Sequence, residues 1–117
     1  MAVKRQGLPR DERIRSRREF DRVFREGRRF AEGPVLARYV ANDLGVTRMA
    51  VAAPGKFGKA AKRNRARRLL KEAYRLHKQE MPPGLDVILM PGRNWHDPAL
   101  AELETALCRI ASRLKEN

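Results

Sequence analysis

The sequence contains a single cysteine, Cys108, so no disulfide can form within the chain. This fits a reducing compartment, and we expect a cytoplasmic protein. The sequence also lacks any run of about 18 apolar residues, which argues against a transmembrane helix. No apolar segment follows the basic N-terminus, so a secretory signal is not expected.

Acidic residues are scarce: 14 Asp and Glu stand against 27 Lys and Arg, for a net charge of +13. Hydrophobic residues make up 42% of the 117, which is sufficient for one modest core. The positive charge is concentrated in residues 56–78, which hold 10 Lys/Arg and one Asp/Glu, whereas residues 79–117 hold 4 and 6. Because a compact chain with this charge repels itself, an anionic partner is the simplest reason to retain it.

The pattern along the chain predicts one small domain. Residues 1–15 are polar and basic, and we expect a mobile arm there, followed by a single domain over residues 16–117. Ser16 and Glu19 have the spacing of a capping box, which predicts a first helix that ends near Gly27. Further elements are expected as strands at 35–40, 46–53 and 85–90, and as helices at 59–79 and from Asp97-Pro98 onward. This order predicts an α/β (α+β) sandwich.

The helix predicted at 59–79 is amphipathic, and its polar face is almost wholly cationic. At about 100° per residue, its small and apolar side chains (Ala66, Leu69, Leu70 and Ala73) share one side. The opposite side carries Asn64, Arg67, Arg68, Lys71 and Arg75. Glu72 is the only acid inside the helix, so pairs four residues apart cannot neutralise the row. A solvated face without a partner is the alternative, but the charge pattern favours phosphate binding.

Other signals are weak. Gly55-Lys56-Phe57-Gly58 matches the GXXG loop of KH domains, but a strand precedes it where KH domains have a helix. His77 and His96 with one cysteine give no zinc-site spacing, so no metal site on the protein is expected. The residue pattern shows no nucleophile, base and acid set, so we expect no catalytic residue. A ribosomal-type RNA binder and a major-groove DNA binder stay open as alternatives.

The basic stretch from Gly58 to Arg75 resembles the arginine-asparagine-arginine signature of the bacterial ribonuclease P protein family. Three further regions are similar to family patterns: Ile14-Arg15 with Phe20, Phe24 and Gly27; Leu85-Asp86-Val87-Ile88; and the leucine-rich last helix. The resemblance extends over about residues 8–115 and is most specific at Lys62-Arg63-Asn64-Arg65.

The resemblance implies a four-stranded mixed sheet with three helices and a left-handed βαβ crossover. It also implies an RNA-binding protein that acts as one subunit of a ribonucleoprotein endonuclease. The partners would be a catalytic RNA, which holds the Mg²⁺, and precursor tRNA, whose 5′ leader is removed by hydrolysis. We expect a monomer in a 1:1 complex with that RNA.

The family's RNA-facing motif falls on Arg63, Asn64, Arg65, Arg67 and Arg68, and we extend this role to Lys59, Lys62, Lys71 and Arg75. The family's leader cleft, between the first helix and the sheet, falls on Phe20 and Phe24. We extend that role to Arg15, Arg17, Arg38 and Lys56, with core packing as the alternative for both phenylalanines. Ala53-Pro54-Gly55 departs from the Ser/Lys/Arg-rich run of many members, which weakens one side of the cleft.

Overall fold

A computed structural model of the chain describes residues 8–116. Its elements are helix α1 (Arg17–Glu26), strands β1 (Arg28–Glu32), β2 (Val35–Ala41) and β3 (Arg48–Val51), helix α2 (Ala60–His77), strand β4 (Leu85–Pro91) and helix α3 (Leu100–Lys115). Single turns of 3-10 helix occur at Arg10–Glu12, Gly55–Phe57 and Lys78–Glu80. Within this range, the expected α+β class with three α-helices and a four-stranded mixed sheet is confirmed.

The sheet has the strand order β1-β2-β4-β3. β2 pairs antiparallel with both β1 and β4, whereas β3 and β4 pair in parallel. Because parallel neighbours need a crossover connection, α2 runs between β3 and β4 and forms a βαβ unit. The left hand that the family resemblance implies for this crossover stays a prediction.

Alternation along the strands gives the sheet two different faces. One face packs against α2 and α3 and forms the main core, with Val35, Ala37, Val87 and Leu89 fully buried. The other face packs against α1 around a smaller cluster centred on Val23, Ile88 and Met90. The basic helix and the first helix therefore lie on opposite sides of one sheet.

Local chemistry fixes both ends of α1. The Ser16 hydroxyl accepts a hydrogen bond from the Glu19 N–H at 3.1 Å, and the Glu19 carboxylate accepts one from the Ser16 N–H at 3.3 Å, so the predicted capping box is confirmed. Gly27 ends the helix in an extended conformation. A Cβ there would lie 2.4 Å from the Val23 carbonyl oxygen and 2.7 Å from that of Tyr39. Glycine is therefore required because the backbone approaches closely.

A buried ion pair joins the α1 side of the sheet to α1 itself. Asp86, which is 1% exposed, accepts hydrogen bonds from Arg48 Nε at 2.9 Å and Nη2 at 2.7 Å. Asn42 donates to the same carboxylate at 2.9 Å. Arg48 Nη1 donates to Glu19 on α1 at 2.9 Å, so one guanidinium connects β3, β4 and the first helix. The hydrogen bonds to Asp86, and secondarily to Glu19, raise the pKa of Arg48.

The structure differs from the sequence prediction at three places. Strand β1 was not expected from the residue pattern, and it forms the edge of the sheet beside β2. The last helix, expected from Asp97-Pro98 onward with Asp97 as its cap, begins later: its N-cap is Ala99, and Asp97 has a φ of 51°, whereas N-caps adopt extended angles. Residues 8–15, expected in the arm, contact the domain, since Leu8 is buried and the Ile14 N–H donates to the Met49 carbonyl.

Residues 1–7 of the predicted arm lie outside the described range. Within residues 8–116, no helix combines the length and hydropathy that a bilayer crossing requires.

Candidate nucleic-acid interface

Helix α2 presents its cations to solvent because its other side is anchored in the core. Ala66, Leu70, Ala73 and Tyr74 are buried against the sheet and α3. The exposed polar residues are Lys62, Asn64, Arg65, Arg68, Lys71 and Arg75, with Arg63 and Arg67 half-buried at the margins. We call this set, with Lys59 at the N-cap, the α2 basic face. The sequence-predicted RNA-facing residues therefore lie mainly on the exposed side of α2, with Arg63 and Arg67 at its margins and Lys59 and Lys62 at its N-terminal end.

Few acids oppose the α2 basic face. Arg75 pairs with Glu72 at 2.7 Å, and Arg65 pairs with Asp97 at 3.1 Å. Both pairs are substantially exposed, and exposed pairs of this kind are worth about 0–1 kcal/mol, so a phosphate can displace them. Within residues 8–116, no acidic partner is found for the remaining cations, which are Lys59, Lys62, Arg63, Arg67, Arg68 and Lys71.

Two motif residues contribute to local structure as well. Arg63 donates from Nη1 to the Gly58 carbonyl at 2.7 Å, which closes the loop before the helix. Asn64 accepts a hydrogen bond from Arg67 one turn later. Asn64 thus lies on the exposed helix surface, where it orients an arginine.

The N-terminal end of the α2 basic face continues into an aromatic corner. The Lys62 ammonium lies 4.7 Å from the centre of the Phe57 ring, whose edge meets Trp95 at 6.1 Å between ring centres. A depression of about 420 Å³ opens beside it, lined by Lys62, Arg65, Ala66, Trp95, His96 and Asp97. The first turn of α2 contains no acid and no side-chain cap, so its N–H groups also favour an anion. Sequence reasoning did not find Trp95 and His96, because they follow β4 in the chain.

A second surface lies on the α1 side of the sheet. Phe20 and Phe24 are ring neighbours at 5.2 Å, and the Arg38 guanidinium lies 4.6 Å from the centre of the Phe24 ring. Arg38 Nη1 also donates to the Phe24 carbonyl at 3.4 Å. We call these three side chains, with the half-buried Leu36 and Ala52 of the same cluster, the α1 cleft.

The two phenylalanines of the α1 cleft are not equivalent. Phe20 is half-buried and packs against the Val23, Ile88 and Met90 cluster, so core packing accounts for much of its ring. Phe24 is 37% exposed. The buried Nε of Arg38 has no hydrogen-bond partner among residues 8–116. Phe24 therefore offers an exposed ring for stacking, with the Arg38 guanidinium against it.

Arg15, Arg17 and Lys56 are the other residues expected at the leader site. Arg15 and Arg17 flank Ser16 at the start of α1 and are exposed, and Arg17 pairs with Asp21 at 3.3 Å. Lys56 is exposed in the 3-10 turn after β3. Within residues 8–116, no hydrogen bond or cation–π contact joins these three to Phe20, Phe24 or Arg38.

The buried ion pair holds the α1 cleft in place. Glu19 precedes Phe20, and its hydrogen bond from Arg48 is the main reason that the pKa of Glu19 is lowered. Glu19 thus stays ionised while it caps α1 and anchors it to β3. The orientation of the cleft's aromatic rings depends on this contact.

Comparison with known proteins identifies the family of the chain. A family model described as Ribonuclease P matches residues 8–115. The "Ribonuclease P protein component" of Pelotomaculum thermopropionicum is 33% identical over 104 residues, which cover 89% of this chain and 93% of that protein. The component of Dictyoglomus thermophilum is 34% identical over 114 residues, covering 93% and 95%.

Solved structures agree as well. The ribonuclease P protein from Thermotoga maritima superposes with a TM-score of 0.76 at 26% identity, over 87% of this chain and 96% of that one. The Staphylococcus aureus protein, at 20% identity and a TM-score of 0.72, covers 90% and 95% and supports the fold alone. The chain belongs to the ribonuclease P protein family.

Proposed function

We propose that this chain is the protein subunit of a ribonuclease P, which removes the 5′ leader of precursor tRNA together with a catalytic RNA subunit. The observation that carries the proposal is the α2 basic face: a cationic helix surface, rigidly backed by the core, in a chain of this family. Arginine predominates on it, and guanidinium groups bind phosphates through two parallel hydrogen bonds. This surface binds the catalytic RNA, in a 1:1 complex with one copy of the chain.

The α1 cleft binds the leader. A single strand presents unstacked bases, and aromatic rings beside cations suit such a ligand. Phe24 supplies an exposed ring, and the Arg38 guanidinium lies 4.6 Å from the centre of that ring, which places a cation beside the stacking surface. The α2 basic face and the α1 cleft lie on opposite sides of the sheet, so one small domain can contact both RNAs at once. This activity places the protein in the cytoplasm, where precursor tRNA is made.

Mg²⁺ is the cofactor of the proposed reaction, and the RNA holds it. Mg²⁺ takes oxygen ligands and keeps several of its waters. The α2 basic face repels a dication, so its residues do not fit Mg²⁺, whereas RNA phosphates do. The chain's own residues contribute by binding both RNAs and by neutralising their mutual repulsion, and no residue of this chain is assigned a catalytic role.

Reconstitution tests the proposed function. The purified chain is mixed with a ribonuclease P RNA, and 5′ cleavage of precursor tRNA is measured at a Mg²⁺ concentration too low for the RNA alone. We expect cleavage to be restored, and precursor tRNA to bind more tightly than mature tRNA, because only the precursor carries a leader. A chain that binds this RNA without restoring cleavage, and that sediments with ribosomes, would be a structural binder instead.

Phe24→Ala tests the α1 cleft. We expect the affinity of the reconstituted enzyme for precursor tRNA to fall between about 5-fold and about 100-fold, which corresponds to losing one stacked base. Mature tRNA should bind unchanged. Binding titrations on substrates with and without a leader measure the difference.

Leu44→Ala is the matched control for Phe24→Ala, since Leu44 is another exposed apolar side chain, 54% exposed, in the loop before β3. It should bind both substrates like the unmodified protein. A thermal melt of Phe24→Ala shows whether the domain stays folded. Equal losses of affinity with and without a leader would show that the cleft does not hold it.

A further inference from the structure

Four side chains from two segments that are far apart in the sequence meet where α2 ends against α3. His77 lies in the last turn of α2, Glu80 in the 3-10 turn that follows, and Glu104 and Cys108 on α3. His77 Nδ1 lies 2.9 Å from Glu80 Oε2 and 3.5 Å from Cys108 Sγ. One donor atom from each of His77, Glu80 and Cys108 lies within 4.8 Å of the others. The sequence spacing gave no sign of this cluster.

The two donor distances from His77 Nδ1 are close to those of a tetrahedral zinc site. Zinc binds histidine nitrogen at about 2.0 Å and cysteine sulfur at about 2.3 Å, which places these two donors about 3.5 Å apart at a tetrahedral angle. The Nδ1 to Sγ distance is 3.5 Å. His77 Nδ1 and the Glu80 oxygen, 2.9 Å apart, are a few tenths of an ångström closer than two ligands of one zinc ion. The two residues are three positions apart in the chain. A small opening of the Glu80 side chain admits the ion.

The second nitrogen of His77 already has the partner that a metal-bound imidazole needs. Nε2 lies 2.9 Å from Glu104 Oε1. A carboxylate in this position keeps the proton on Nε2, so the lone pair on Nδ1 points at the other donors. The arrangement is that of a carboxylate–histidine–metal triad, with Glu104 in the outer position.

We propose that His77 Nδ1, a Glu80 carboxylate oxygen and Cys108 Sγ bind one Zn²⁺, with Glu104 orienting the imidazole. Binding forms three bonds to the ion and releases the thiol proton to solvent, together with the Nδ1 proton where the imidazole is charged. The fourth position is taken by water. The His77 side chain is 19% exposed and that of Glu80 is 47% exposed, so an ion reaches the site directly from solvent.

The donor set distinguishes this site from the Mg²⁺ of the proposed RNA reaction. A thiolate and an imidazole select zinc-like ions over Mg²⁺, which prefers oxygen. The ion would fasten the C-terminal end of α2 to α3, behind the surface proposed for RNA. The inference does not rest on the proposed function, because the chain can bind zinc whether or not it binds RNA.

The test uses the full chain without RNA, since RNA phosphates also attract divalent ions. Chelator-treated protein is titrated with Zn²⁺ by calorimetry, and separately with Co²⁺ by absorption spectroscopy. We expect one equivalent of each to bind, a thiolate-to-cobalt charge-transfer band in the near ultraviolet, and a higher melting temperature with zinc. Millimolar Mg²⁺ should not displace either ion.

Variants separate the donors. Cys108→Ser should lose the charge-transfer band and the zinc-dependent rise in melting temperature. Glu104→Gln should keep the band but bind zinc about 10- to 100-fold more weakly. His96→Ala changes the other histidine of the chain, which lies in an exposed loop, and should leave binding unchanged.

Three results would overturn the site. The unmodified protein could bind no zinc, or it could bind cobalt without a charge-transfer band. The third is Cys108→Ser binding zinc as tightly as the unmodified chain. The cobalt spectrum of the unmodified protein decides the matter even where a variant fails to fold.

Discussion

Asp86→Ala is expected to lower the free energy of unfolding by about 3–5 kcal/mol, the usual cost of removing one partner from a buried ion pair. The carboxylate is 1% exposed and the Arg48 side chain 12%, and two hydrogen bonds of 2.9 and 2.7 Å join them. Without Asp86 the guanidinium stays in the protein, and Glu19 is its one remaining charged partner among residues 8–116. The cost is therefore mainly that of a buried, undercompensated charge.

Denaturant unfolding measures this effect, and a double variant tests its cause. Asp86→Leu combined with Arg48→Met removes both charges and should cost less than Asp86→Ala alone, because well-packed apolar side chains can replace a buried pair. Asp21→Ala is the control: it removes an exposed aspartate paired with Arg17 and should change stability by less than about 0.5 kcal/mol. If the double variant were the less stable, direct attraction within the pair would dominate instead.

The same ion pair connects stability to the α1 cleft. Arg48 holds Glu19, and Glu19 both caps α1 and precedes Phe20. The positions of Phe20 and Phe24 in the α1 cleft thus depend on the hydrogen bonds of Arg48, which lies on the sheet. The apolar-Asp-apolar pattern of β4 suits this position. The strand is buried on both faces of the sheet, and its one charge, on Asp86, holds α1 in place through Arg48 and Glu19.

The sequence predicted those parts of the molecule that short-range chemistry determines. The capping box at Ser16 and Glu19 is a local signal, and α2 follows from its periodic apolar side and its row of cations. Clustering of the α2 basic face required no tertiary information, because a helix alone places these residues together. For the same reason, the sequence of residues 59–75 was sufficient to predict this face.

Features that depend on long-range contacts escaped the sequence analysis. β1 reads Arg-Arg-Phe-Ala-Glu and has no clear apolar alternation, since it is an edge strand paired on one side only. Asp97 resembles a helix cap by position, but its left-handed backbone instead directs its carboxylate to Arg65 on α2. Arg48 and Asp86 are 38 residues apart, and His77 and Cys108 are 31 apart, so no local spacing relates them.

Neutralising three arginines of the α2 basic face should have the largest effect on RNA binding. For Arg65→Gln, Arg67→Gln and Arg68→Gln together, we expect the affinity for ribonuclease P RNA to fall about 100-fold near 0.15 M salt. Each phosphate that is no longer bound retains one condensed counterion, so the slope of log affinity against log salt should become shallower by about 2–3. Filter binding over a salt series at fixed Mg²⁺ measures both quantities.

The matched control removes the same charge elsewhere. Arg10, Arg93 and Arg109 are exposed and lie outside α2, so their triple change to glutamine lowers the net charge equally. If RNA responded only to total charge, both triple variants would lose the same affinity. We expect the control to retain most of its affinity and nearly the full salt slope, because its arginines do not share one helix surface.

Stability should move in the opposite direction from affinity in the α2 triple variant. Like charges three and four residues apart cost a helix a few tenths of a kcal/mol per pair, and glutamine has nearly the same helix propensity as arginine. The substitutions remove the exposed Arg65–Asp97 ion pair and the Arg67–Asn64 hydrogen bond, which contribute little to stability. The melting temperature should therefore stay the same or rise while RNA binding collapses. Repulsion between like charges on this helix surface lowers the stability of the free protein, and bound phosphates remove that repulsion. The surface is therefore retained for RNA binding and not for stability. A fall in melting temperature would instead show that these arginines stabilise the fold.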